Sequence, residues 1–152
     1  MNLRILSFFV LAVLVMSCSD DDNNPDVDNP LLNNSYPQTW KLIRMSTGEQ
    51  DSVTTGEDME WQETYVLNDD DTFVKTRVTA DETLTGSGTY VLILEDTQSG
   101  VSLTFEDNDN SIIGTCATDD KEFLRLNTEE GILVSNWQEC DGPGLFYEIS
   151  SE

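Results

Sequence analysis

From residue 36 onward the apolar positions fall in short runs, and within several runs they alternate with polar ones. Runs rich in Val, Ile, Thr, Tyr, Phe and Trp occupy residues 39–45, 59–67, 72–79, 88–94, 101–105, 111–116, 122–126, 132–137 and 145–149, with clusters of Asp, Asn and Gly between them. Strands and turns read this way in a sequence. No stretch of this region sustains an apolar period of 3.6 residues. Asn68-Asp69-Asp70-Asp71 is a short polar link between two runs, which predicts an antiparallel hairpin. Strands at near-regular spacing with short connections predict an all-β domain. The expected form is a single antiparallel up-and-down β-barrel of about eight strands, with a two-sheet β-sandwich as the alternative.

Alternation also assigns faces, because side chains two apart along a strand point the same way. Trp40, Leu42 and Arg44 form one such set on the first strand; Met59, Trp61, Glu63, Tyr65 and Leu67 form one on the second; Phe73, Lys75 and Arg77 form one on the third. If the large aromatic residues mark the interior, these sets point inward. An antiparallel meander then gathers Trp40, Leu67 and Phe73 near one end and Arg44, Met59 and Arg77 near the other. Arg44, Lys75 and Arg77 would line an open mouth above an apolar floor, suited to a ligand with an apolar body and an anionic head. The candidate ligand-binding residues are therefore Arg44, Trp61, Tyr65, Phe73, Lys75, Arg77 and Tyr90. Two other arrangements fit the same pattern. The third strand can be flipped, with Val74, Thr76 and Val78 inside and the cations in water. Alternatively, Lys75 or Arg77 pairs with Glu63 across a barrel filled by its own side chains.

The start of the chain differs from the rest. Arg4 precedes an apolar stretch from Ile5 to Met16, followed by Ser17, Cys18 and the acidic run Asp20-Asp21-Asp22. A dozen apolar residues are too few to cross a hydrocarbon core of ~30 Å comfortably as a helix, and their length suits a signal peptide. Leu14-Val15-Met16-Ser17 before Cys18 resembles a bacterial lipoprotein signal, with Met16 its least usual residue. The alternative is an ordinary signal peptide with an incidental cysteine. The lipoprotein reading removes residues 1–17 and attaches lipid at Cys18. Several acyl chains then hold the protein to a membrane, since each buried CH₂ contributes ~0.8 kcal/mol. Residues 18–35, rich in Asp, Asn and Pro, are expected to form a disordered acidic tether, with residues 36–152 as the barrel domain.

The domain also carries a family resemblance. Trp40-Lys41-Leu42, Glu63-Thr64-Tyr65-Val66-Leu67 running into Asn68-Asp69-Asp70-Asp71-Thr72-Phe73, Gly88-Thr89-Tyr90, and Val101-Ser102-Leu103-Thr104-Phe105 resemble the lipocalin-like domains of Bacteroidota lipoproteins. Asp71 stands where a glycine commonly sits in that hairpin turn, and Asp tolerates the left-handed backbone better than most residues. The resemblance implies a small barrel able to hold a ligand cavity, with no fixed activity. The acidic run after Cys18 likewise resembles the surface-export signal of that group. It implies an outer-membrane, surface-exposed protein. The inward cations favour a small amphipathic or anionic ligand as its partner, and a filled barrel docking to an outer-membrane protein complex or a glycan is the alternative.

Charge and cysteine content narrow the field further. Of 7 basic residues only Arg4 precedes Cys18, so the mature chain would set six cations against 30 acids. Such a balance opposes nucleic-acid binding and adhesion to anionic lipid heads. Lipidation of Cys18 leaves Cys116 and Cys140, an even pair that favours a disulfide outside the cytoplasm; two buried thiols are the alternative. The chain has no histidine, which removes Ser-His and Cys-His nucleophile pairs. No constellation of base, nucleophile and orienting group stands out, so the expectation is a non-enzyme without cofactor or metal. Asp107-Asn108-Asp109-Asn110-Ser111 spaces its oxygens as a calcium loop does but lacks the required glycine and terminal glutamate, so it reads as a turn.

Overall fold

A computed structural model describes residues 29–32, 35–47, 49, 52–95, 98–107, 111–116 and 120–150. The signal segment, Cys18 and most of the expected tether lie outside the described residues, as do Asn108, Asp109 and Asn110.

The described chain forms nine strands: β1 (Gln38–Ser46), β2 (Thr54–Thr55), β3 (Gln62–Leu67), β4 (Thr72–Val78), β5 (Thr83–Glu95), β6 (Gln98–Phe105), β7 (Lys121–Asn127), β8 (Ile132–Ser135) and β9 (Gly144–Ile149). From β3 to β9 each strand pairs antiparallel with the next, and β1 pairs with both β3 and β9. The sheet therefore closes on itself as an up-and-down barrel, with β1 and β9 joined instead of left as open edges. β2 is an extra short strand on β1.

Alternation sets the interior as expected. Trp40, Tyr65, Leu67, Phe73, Leu103 and Tyr147 are almost wholly buried, while Thr64, Val66, Val74 and Thr76 between them are half-exposed. The third-strand set Phe73, Lys75 and Arg77 points inward. The β3–β4 hairpin also forms as expected. Asp70 accepts from the Thr72 amide at 3.2 Å and from its hydroxyl at 2.6 Å, and Asp71 closes the turn at φ 63°. The Thr72 hydroxyl, followed by the Thr72 amide, lowers the Asp70 pKa.

Four expectations need correction. Residues 111–116 are not a strand. They form an irregular strap in the β6–β7 connection, with Ile112, Ile113 and Gly114 buried. Met59, Trp61 and the residue between them precede β3 rather than opening it. β5 runs five residues earlier than the expected 88–94, because Gly86 and Gly88 dilute an alternation that starts at Thr83. The expected tether is docked in part: Pro30–Leu32 is a 3-10 turn whose Leu31 is buried in the core cluster.

Candidate functional site

The barrel has two ends. Connections 68–71 and 128–131 lie at one end, while residues 47–61, 79–82, 106–120 and 136–143 connect strands at the other, called here the strap end. The inward cations sit toward the strap end, as the meander requires, but they do not face an open mouth.

Lys75 and Arg77 are held by two inward carboxylates and by the strap. The Lys75 ammonium is fully buried and donates to Glu122 Oε1 at 2.7 Å and to the Ile112 carbonyl at 2.7 Å, with Glu63 Oε1 at 3.3 Å. Arg77 Nε donates to Glu63 Oε2 at 2.5 Å. Its two terminal nitrogens donate to the carbonyls of Ser111 at 3.1 Å and Ile112 at 3.2 Å. Tyr65 donates its hydroxyl to Glu122 at 2.5 Å, and Tyr147 donates to Glu63 at 2.6 Å. The Gly114 amide also donates to Glu122. Two acids face two bases, so the cluster is neutral, and every carboxylate oxygen in it has a donor. A buried network satisfied to this degree fixes one geometry; a half-satisfied one would be costly.

Charge and burial act together on the two tyrosines. Burial pushes the Tyr65 phenol well above its usual range, and the Glu122 charge adds to the effect. Tyr147 is raised in the same way, first by burial and then by Glu63. Both hydroxyls therefore stay protonated and serve as donors to the carboxylates.

The strap is clamped on its other side. The sulfurs of Cys116 and Cys140 lie at disulfide-bonding distance, with Cα atoms 5.5 Å apart, and both residues are exposed. Cys140 ends a 3-10 turn, Asn136–Cys140, that is capped by the Ser135 hydroxyl accepting from the Trp137 amide at 3.1 Å. Trp137 lies directly on the strap: a Cβ at Gly114 would come within 2.6 Å of its ring, so only glycine permits this approach.

The candidate ligand residues thus divide into four groups. Trp61, Tyr65, Lys75 and Arg77 come together near the strap end, with the Arg77 guanidinium 4.6 Å from the Trp61 ring centre. Phe73 belongs to the floor, edge-on to Phe105 at 4.9 Å. Tyr90 sits at the opposite end, donating to the Asn68 carbonyl at 2.7 Å, and its pKa is raised by burial and by Tyr36. Arg44 is not an inward residue. The pairing of β1 with β9 shifts between Leu42 and Arg44, which reverses the alternation and turns Met45 inward. Arg44 therefore lies on the outer face, 4.1 Å from the Phe146 ring centre and 3.5 Å from Glu130.

Of the arrangements open to the sequence, the structure forms the one in which Lys75 and Arg77 pair with Glu63, and it adds Glu122 and Tyr147. Alternation signalled both additions, since Glu122 shares a face with Leu124 and Leu126, and Tyr147 with Leu145. Depressions on the described surface include one of about 470 Å³ beside Met59, Trp61 and Val78, and one of about 150 Å³ beside Gly86, Phe105 and Ile112. Neither is lined by Glu63, Lys75, Arg77 or Glu122. Among the described residues no group of three or more His, Cys, Asp or Glu is placed to hold a metal ion. Comparison with protein-family models, with curated proteins and with solved structures finds no match.

Proposed function

We propose that this chain is a non-enzymatic docking module: a lipid-anchored outer-membrane protein whose filled barrel presents its outer surface to a protein partner. One observation carries the reading. The interior cations that would hold an anionic ligand head are spent on Glu63, Glu122 and the carbonyls of the strap, which itself closes over them. A small amphipathic ligand would have to break this network and displace Ile112 before reaching either cation. The membrane part of the proposal rests on Cys18 and its flanking residues, and the lipocalin-like resemblance fits such a scaffold. The heavy acidic excess suits an exposed module with low non-specific stickiness.

Native mass spectrometry of the protein purified from its source membrane tests this reading. A co-purifying protein at fixed stoichiometry, with the barrel chain free of adducts other than its lipid, is the expected result. A stoichiometric small molecule lost only on unfolding would overturn it.

A further inference from the structure

The barrel is closed, yet one strand outruns its neighbour. β4 pairs with β5 only from Thr72↔Thr89 to Val78↔Thr83, while β5 continues to Glu95 against β6. Among the described residues, 91–95 therefore have a partner on one side only. The Tyr90 amide donates to the Asp71 carbonyl at 2.9 Å, so its backbone faces the β4 side. Backbone groups alternate sides along an antiparallel strand, so Leu92 and Leu94 direct theirs to that same side. Among the described residues no strand pairs there.

Between Val91 and Leu94 this edge carries no lysine, proline or other charged residue. Natural sheets blunt free edges with lysine, proline or a bulge. Here the sequence is Val91-Leu92-Ile93-Leu94, with Val91 62% and Leu94 50% exposed. Their partners across the hairpin are Ser102 and Ser99, which offer little apolar cover. Acids flank the apolar stretch: exposed Asp70 and Asp71 stand where the free edge begins, and exposed Glu95 closes it.

Resting on the docking reading above, we propose that this edge of β5 receives an extended segment of the partner as an added strand. Unpaired backbone groups call for a strand, the exposed Val91 and Leu94 call for apolar side chains at its centre, and the flanking acids call for Lys or Arg at its ends. Five residues span roughly 17 Å of strand, long enough for such a segment. A second copy of this chain fits poorly, because it would bring another strongly acidic surface and the same flanking acids to the edge.

The test uses the full mature chain and a heptapeptide with valine at its five central positions and a lysine at each end, since Val91 and Leu94 lie on opposite faces of β5. Amide NMR titration should shift residues 91–95, and the same peptide with glutamate ends should bind at least tenfold more weakly. Leu94→Pro removes an amide donor on the free side and should weaken binding at least tenfold. Val91→Lys, at an exposed position that keeps the fold, should do the same with an unchanged melting temperature. Shifts centred on Met59 and Trp61, equal binding of both peptides, or a dimer abolished by Val91→Lys would each overturn the proposal. A natural partner still held by Val91→Lys would overturn the edge and leave the docking reading standing. A small molecule in the barrel beside intact peptide binding would do the reverse.

Discussion

Removing Lys75 tests whether the interior network behaves as a unit. In Lys75→Met the 2.7 Å bonds to Glu122 and the Ile112 carbonyl disappear, as does the 3.3 Å contact with Glu63. Glu122 keeps its bonds from Tyr65 and Gly114 but loses its only cation within 4 Å among the described residues. Two carboxylates then share one guanidinium inside the barrel. Breaking a buried pair from one side costs about 3–5 kcal/mol, because a charge is left without its counter-ion. Glu122→Gln costs about 2–3 kcal/mol by the same reasoning, since Lys75 retains Glu63 and a carbonyl. The double variant Lys75→Met/Glu122→Gln restores neutrality and should cost about 3 kcal/mol, well below the sum of the singles. Urea unfolding of the oxidised protein measures the three variants against the unsubstituted chain. With a slope of roughly 1–3 kcal/mol per molar urea, the Lys75→Met midpoint falls by about 1–5 M. Additive single costs, or a Lys75→Met cost below about 1 kcal/mol, would mean that water reaches these charges and the network does not act as a unit.

Tyr65 and Tyr147 predict alkaline sensitivity. Above about pH 10 the unfolded chain releases phenolic protons that the folded chain keeps, so stability falls by about 1.4 kcal/mol per pH unit for each of the two; urea midpoints that stay flat from pH 9 to 11 would refute this. Asp71→Gly relieves a left-handed residue at φ 63° and should stabilise by about 0.5–1 kcal/mol, read as a rise in melting temperature; an unchanged or lower value would show that the Asp side chain compensates. Cys116→Ser/Cys140→Ser opens a link spanning 24 residues and should cost about 3 kcal/mol, with faster amide exchange first in residues 112–114; uniform exchange across the barrel would contradict the clamping of the strap.

The fold was legible because alternation is a local signal. β1, β4, β7 and β9 each sit within two residues of an apolar run, and Asp71 marks its turn by chemistry that survives in the structure. The site was legible only in part. Face assignment placed Tyr65, Lys75 and Arg77 inside, but alternation cannot reveal a register shift, so Arg44 was carried inward with Leu42. Residues 111–116 are apolar enough to pass as a strand. They fold instead as a strap because the Ser111 and Ile112 carbonyls and the Gly114 amide bond to side chains from β4 and β7. The β4 partners, Lys75 and Arg77, lie far away in sequence, and no local pattern carries that information.

Native-state acylation of lysines tests most directly whether the barrel is sealed over its cations. The full chain is treated with an amine-reactive ester at neutral pH, and each lysine is followed by peptide mass spectrometry. Exposed Lys121 should react promptly, while Lys75, with no exposed surface and its ammonium bonded to Glu122 and Ile112, should react only after unfolding. Modification of Lys75 in the folded protein at a rate near that of Lys121 would mean an open mouth, and the interior would again be a ligand site.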